Sequence, residues 1–341
     1  MRNCSVVLRG ILWAIFGVGY LTIINVCPQA HGQSASVISV PEQADVTLNF
    51  AAAELSKYFK CITGRDYLIE TQPGNSPLVR LKVDTGLKHD GYRIYRDGDS
   101  ICISGGSSRG CLYGVYTLLV ELGCKFPIPG KEYEIIPRLE KISWSGPTIQ
   151  SEPAVAGRGI LIYPLNDAVS NRTREIARIA GQSELFYFHP FNVLDEILEL
   201  IDWMAKNRFN FLSLLAGKIP PEVLPKLKEA FVARDMGMEW GMHWLPKYLP
   251  RSLFEEHPEY FRMENGKRTP KLNMCPSSSE AADIIAKNSL DDWDQLRDFP
   301  RFETLHLWPD DLNPKVHRTS GWCYCEKCKG YQFGPGFENH Q

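Results

Sequence analysis

The chain has 341 residues, 44% of them hydrophobic and 23% charged, with a formal net charge of −2 at pH 7. That length and balance fit about two folded domains. The slight acidity, and the lack of a long basic run or an RNA-binding aromatic motif, exclude nucleic acid as an expected partner.

Residues 1–33 read as a secretory signal peptide rather than as part of the fold. Arg2 and Arg9 make a basic start, residues 11–26 are an apolar run, and Ala30-His31-Gly32 sets small residues where a signal peptidase reads. The run is shorter than the roughly 20 residues that cross a bilayer, and none like it follows, so no stable membrane span is expected. Val26 before Cys27 disfavours a lipid anchor. Cleavage would remove two Arg and no acids, taking the charge from −2 to −4, and would release the protein to the periplasm or medium. Eight of the ten Cys lie beyond this segment, where disulfides are permitted.

Residues 34–150 have the pattern of a small α/β unit. Leu55, Tyr58, Phe59 and Ile62 share one helix face that ends at Gly64. Val79, Leu81 and Val83 alternate with Arg80 and Lys82, as in a strand with one buried face. Residues 92–95 and 101–104 suggest a hairpin about Asp97-Gly98-Asp99. Leu112, Val115, Tyr116 and Leu119 form the stripe of a second helix, capped by Ser107 or Ser108 and closed by Gly123. Gly105-Gly106-Ser107-Ser108-Arg109-Gly110 before it lacks the Lys of a phosphate loop and reads as a tight strand–helix turn.

The Pro- and Gly-rich stretch 127–153 reads as a linker. Beyond it, strands are expected at 159–163, 209–215, 238–244 and 304–308. Helices are expected around 194–201, 224–231 and 280–289, the second opened by Pro221. Strands alternating with helices imply a parallel sheet, open or closed as a barrel. A complete eight-fold barrel takes about 250 residues, more than remain, so the expectation for 151–341 is the N-terminal half of such a barrel.

Chemistry in parallel β/α units collects at the C-terminal ends of the strands. Asp310 and Asp311 follow the fourth expected strand, and His243 and Trp244 end the third. A carboxylic acid on that rim can protonate a glycosidic oxygen, and Trp244, Trp308 or Trp322 can stack on a pyranose face. A turn of acidic residues, or a packed core His, accounts for the same letters. Arg158 offers a planar fork to hydroxyls or a carboxylate, or braces a strand entry. Cys323, Cys325 and Cys328 are three thiols within six residues. In an exported chain a disulfide staple is the first expectation, with Cys275 a further candidate; zinc, with Cys275 or a His as fourth ligand, is the alternative.

Several stretches together resemble the exported bacterial proteins grouped as domain of unknown function 4838. They are AAELSKYFKCITGRD (52–66), DGDSICISGGSSRGCLYGVYTLLVELGCKF (97–126), LFEEHPEYFRMENGKR (253–268) and GWCYCEKC (321–328). The resemblance implies a hexosaminidase-like second domain joined to a glycosidase barrel, similar to family 20 hexosaminidases and family 67 α-glucuronidases. GRGILIY (157–163), DWMAKNRFNFL (202–212) and LHLWPDD (305–311) are similar to the first, second and fourth barrel segments of hexosaminidases. By that likeness Arg158 grips sugar hydroxyls, Asp310 orients the substrate and Asp311 stands where the general-acid Glu would be. Pro164 replaces the first-strand Asp, so an amino sugar is not implied. The expectation is a cofactor-free glycoside hydrolase-like protein acting on an oligo- or polysaccharide, inactive if half a barrel is missing. A glycan-binding protein without catalysis is the alternative.

Overall fold

The computed structural model describes residues 36–71, 73, 76–162, 194–214, 221–243, 245–302, 304–309 and 321–329. The expected signal segment, Trp244, Asp310 and Asp311 lie outside them. The first sheet takes β1 (Ser36–Ser39), β2 (Tyr67–Glu70), β3 (Val79–Val83), β4 (Tyr92–Asp97), β5 (Ser100–Gly105) and β6 (Ile149–Ser151) in the order β2-β1-β3-β5-β4-β6. Pairing is parallel through β2, β1, β3 and β5, and antiparallel where β4 meets β5 and β6. The strand β6 corrects the expected linker: three residues of that stretch add an edge strand to β4.

Two helices cover one face of this sheet. Helix α1 (Val46–Thr63) starts at Asp45, whose carboxylate accepts a hydrogen bond of 2.8 Å from Leu48 N–H, and ends at Gly64 with φ of 73°. Helix α2 (Ser108–Glu121) is capped by Ser107, whose hydroxyl accepts from Gly110 N–H at 3.1 Å. The Gly-rich turn before it is structural. A Cβ at Gly106 would lie 1.8 Å from Lys88 O, so only glycine lets these backbones touch. Val79, Leu81, Ile94, Ile101 and Ile103 meet Leu55, Phe59, Leu112 and Val115 in the core.

The second sheet is fully parallel, ordered β12-β9-β8-β7, from β7 (Gly159–Ile162), β8 (Phe211–Leu214), β9 (Gly237–Met242) and β12 (Thr304–Leu307). Helices α3 (Leu194–Lys206), α4 (Leu224–Ala233) and α6 (Ser279–Leu296) accompany it, with the short α5 (Leu245–Tyr248) after β9. Leu212, Leu214, Met238 and Trp240 are fully buried and join Ile201, Phe231 and Ile285 in the core. At Gly241, with φ of 137°, a Cβ would lie 2.1 Å from His306 O, so glycine is what lets β12 pair there.

Helix α1 touches α4, and α2 touches α3. The layers therefore run sheet, helices, helices, sheet. Polar bonds cross the helix layers: Tyr113 Oη donates to Phe209 O at 3.0 Å and Trp203 Nε1 to Phe126 O at 3.0 Å. Lys206, almost wholly buried, reaches Glu134 at 2.5 Å and Asp202; Arg234 also binds Asp202, at 2.7 Å. Burial opposes charge on Asp202, but Lys206 and Arg234 more than offset it and lower its pKa.

Candidate functional site

Side chains alternate along a strand, so the second sheet has a core face and a polar face. Ser213, Glu239 and Thr304 lie side by side in register on β8, β9 and β12, with Gly241 and His306 one step further. None of these is a residue the core needs. Glu239 Oε2 accepts a hydrogen bond from Ser213 Oγ and lies 3.2 Å from His306 Nε2. A carboxylate only accepts, so Nε2 is the protonated ring nitrogen of His306. Among the described residues both bonds go to Oε2 and none to Oε1, which leaves that oxygen to accept from a ligand. Leu161, 53% exposed, sits beside Ser213 on the same face.

One layer further toward the strand ends, the His306 ring meets Trp308 edge-on at 5.6 Å, and Trp308 meets His243 at 5.4 Å. His243 Nδ1 bonds Pro309 O. His243 and Trp308 are thus brought together at the C-terminal rim. Asp310 and Asp311 follow Pro309 in the chain, outside the described residues, as is Trp244. Glu239 escaped the sequence reading because Met-Glu-Trp-Gly-Met looks like any strand. A lone acid inside an otherwise apolar β9 was the available signal.

Arg158, expected at the sugar, is spent elsewhere. It stands before β7, at the opposite end of the strands from His243. Its Nε donates to Arg208 O at 2.8 Å, Nη1 to Val155 O and Ala156 O, and Nη2 to Asp90 at 2.7 Å. Asp90 also binds the buried Arg109 at 2.6 Å and accepts from Asn210 Nδ2 at 3.0 Å. Burial works against its charge, yet Arg109, His89 and Arg158 hold the carboxyl well below the usual range. A cleft of about 330 Å³ adjoins this joint, between Tyr92, Tyr113 and Phe209. Its charges satisfy one another, so it reads as a seam rather than a reactive site.

The Cys cluster departs from the expected staple. All eight described cysteines are free thiols. Cys275 and the trio Cys323, Cys325 and Cys328 are buried together, with all four Sγ atoms within 4.8 Å of one another. They are the residues among those described that could hold a metal ion.

Residues 29–123 match the family model for glycosyl hydrolase family 20, domain 2. Among solved structures, a family 20 β-N-acetylhexosaminidase from Streptomyces coelicolor A3(2) superposes with a TM-score of 0.50 at 15% identity, over 80% of this chain and 55% of that one. The fold is glycosidase-like. An N-acetyl-β-hexosaminidase from Streptomyces plicatus gives a TM-score of 0.48 at 15% identity, over 80% of this chain and 54% of the other. A family 115 4-O-methyl-α-glucuronidase gives 0.47 at 13% identity, over 79% of this chain and 41% of its own. The chain thus spans about half or less of these proteins' lengths. No curated protein matches it.

Proposed function

We propose that the chain is an exported glycoside hydrolase-like protein of the domain of unknown function 4838 type, acting on glycosidic bonds of an oligo- or polysaccharide. In this reading residues 34–150 are a hexosaminidase-like second domain. Residues 151–341 supply the first four β/α units of a barrel whose polar face lines the sugar cleft. The observation that carries it is the Ser213–Glu239–His306 set on that face, with Trp308 and His243 one layer above at the rim. Carboxylate, imidazole and indole are what a pyranose calls for: acceptors and donors for hydroxyls, and a flat apolar face for its C–H side.

Asp311 serves as general acid and Asp310 orients the substrate, both following Pro309 in the chain. A carboxyl that protonates the leaving oxygen needs a raised pKa, which a neighbouring acid helps to provide. Glu239 accepts a sugar hydroxyl through Oε1, with His306 fixing its orientation. The test is hydrolysis of a panel of aryl hexosaminides and glucuronides, and of polysaccharides, by the longest natural form of the protein. Asp311→Asn keeps the shape but removes the titratable proton, and the expected loss in kcat is about 100- to 10,000-fold. Unchanged turnover in that variant would sink the assignment. Sugar binding without any turnover in the parent protein would favour the glycan-binding alternative. Export is checked by N-terminal sequencing, expected to begin near Gln33 or Ser34.

A further inference from the structure

We propose that Cys275, Cys323, Cys325 and Cys328 bind one structural zinc ion that fastens together the loops following β9 and β12. The argument starts with distances. A disulfide needs its two sulfurs about 2.05 Å apart. A tetrahedral zinc with Zn–S bonds of about 2.3 Å sets its sulfurs about 3.8 Å apart. Here Cys275 Sγ lies 3.5 Å from Cys323, 3.7 Å from Cys325 and 3.7 Å from Cys328. One thiol equidistant from three others is the arrangement of four ligands round a point. A pairwise bond would favour one neighbour and leave the other two.

The surroundings fit a thiolate cluster. All four residues are buried, with Met263 packed against them. Met263 N–H donates to Cys323 Sγ at 3.2 Å, and Arg268 Nη1 reaches the same sulfur at 3.6 Å. Ser277 Oγ lies 3.2, 3.6 and 3.4 Å from the sulfurs of Cys275, Cys325 and Cys328. Four thiolates on a divalent ion leave two negative charges, which N–H donors, a hydroxyl and a guanidinium offset. Cys325 and Cys328 flank the start of α7 (Glu326–Lys329), where a spacing of three returns both sulfurs to one side.

The ligand segments are also laced together by backbone. A hairpin of β10 (Met263–Glu264) and β11 (Lys267–Arg268) precedes Cys275, and Tyr324 N–H donates to Met263 O at 2.8 Å. Asn273 Nδ2 donates to Gly321 O at 3.2 Å. Cys275 belongs to the connection after β9, and the trio to the chain after β12. Both connections leave the C-terminal ends of parallel strands, the end that carries His243 and Trp308. The ion would set the shape of that rim without taking part in chemistry. Its binding displaces the thiol protons, so uptake acidifies an unbuffered solution.

The experiment uses the intact protein purified without chelator. Elemental analysis should find one zinc per chain. Thiol titration should show four sulfhydryls that react only after a chelator is added, with a lower melting temperature in its presence. Cobalt(II) exchanged into the protein should give the intense visible bands of tetrahedral thiolate coordination. In Cys275→Ser, zinc affinity should fall by more than the about 10- to 100-fold typical of losing an outer-shell partner; Cys61→Ser, at an exposed site, should leave it unchanged. If Cys275→Ser does not fold, the cobalt spectrum of the parent decides. A disulfide among the four in unreduced peptide maps, iron in place of zinc, or free thiols without metal in zinc-replete medium would each overturn the proposal. None of these readouts depends on glycoside hydrolysis.

Discussion

The two sheets each turn one face to helices, and their other faces are dressed in opposite ways. On the first sheet Arg80 and Lys82 of β3 and Arg93 and Tyr95 of β4 stand on either side of the buried Cys102 and Ser104 of β5, with Arg80 on Asp97 at 3.0 Å and Lys82 over the Tyr95 ring. Their long stems lie on the strands and carpet them. On the second sheet the same positions hold Ser213, Glu239, Gly241 and His306. Among the described residues Ser213 and Gly241 add little bulk above the strands, and the two ionisable groups there, Glu239 and His306, face each other. A carpeted face keeps a sheet soluble, whereas a cleared face with a carboxylate–imidazole pair can hold a ligand.

The contrast can be broken most severely at the joint between the sheets. Arg109→Met should cost about 3 to 5 kcal/mol in denaturant unfolding, because Asp90 stays buried with one fewer partner. The same pair predicts an acid limb. The folded pKa of Asp90 is depressed, so its stabilisation is present above the unfolded value of about 3.9 and is lost as pH falls toward the depressed one. Arg109→Met should flatten that limb. A variant with parental stability and acid slope would mean the joint contributes nothing.

Next come the faces. Ile103→Ala, under α2, should cost about 2 to 5 kcal/mol through the cavity it leaves. Tyr95→Ala, on the carpeted face of the neighbouring strand, should cost about 1 kcal/mol or less. Equal costs would show that the carpet is a second core. The sharpest comparison is functional. Glu239→Gln should lower kcat/KM about 10- to 100-fold, the worth of one charged hydrogen bond, while unfolding stays close to parental. Arg93→Gln, at an equivalent place on the first sheet, should leave kcat/KM unchanged. Loss of activity in both, or in neither, would erase the distinction between the faces.

Where an element buries a regular stripe, the residues alone predicted it. Leu55, Tyr58, Phe59 and Ile62 marked α1, and the hairpin about Gly98 formed as β4 and β5 with that glycine at φ of 59°. Periodicity failed where pairing, not burial, makes the strand. The three residues of β6 have no pattern of their own and are recruited by β4, and the two-residue strands β10 and β11 exist because Asn265 and Gly266 turn the chain between them. For Arg158 the sequence left a brace and a sugar clamp both open, because its letter is the same in each. Only Asp90, 68 residues earlier in the chain, decides between them. The Cys spacing was visible, but the fourth thiol, 48 residues before the nearest of the trio, depends on how two loops meet.

The Asp90 joint also bears on how such a molecule could open. Arg109, on the first helix turn of α2, reaches Asp90 on one side and Asp235 O, ahead of β9, at 2.5 Å on the other. Asp90 continues the chain to Arg158 at the foot of β7 and to Asn210 before β8. All four parallel strands are therefore tied at their entry ends to the other sheet, β12 through Arg301, whose Nη2 lies 2.9 Å from His89 Nε2. A hinge between the sheets would have to break several buried ionic contacts at once.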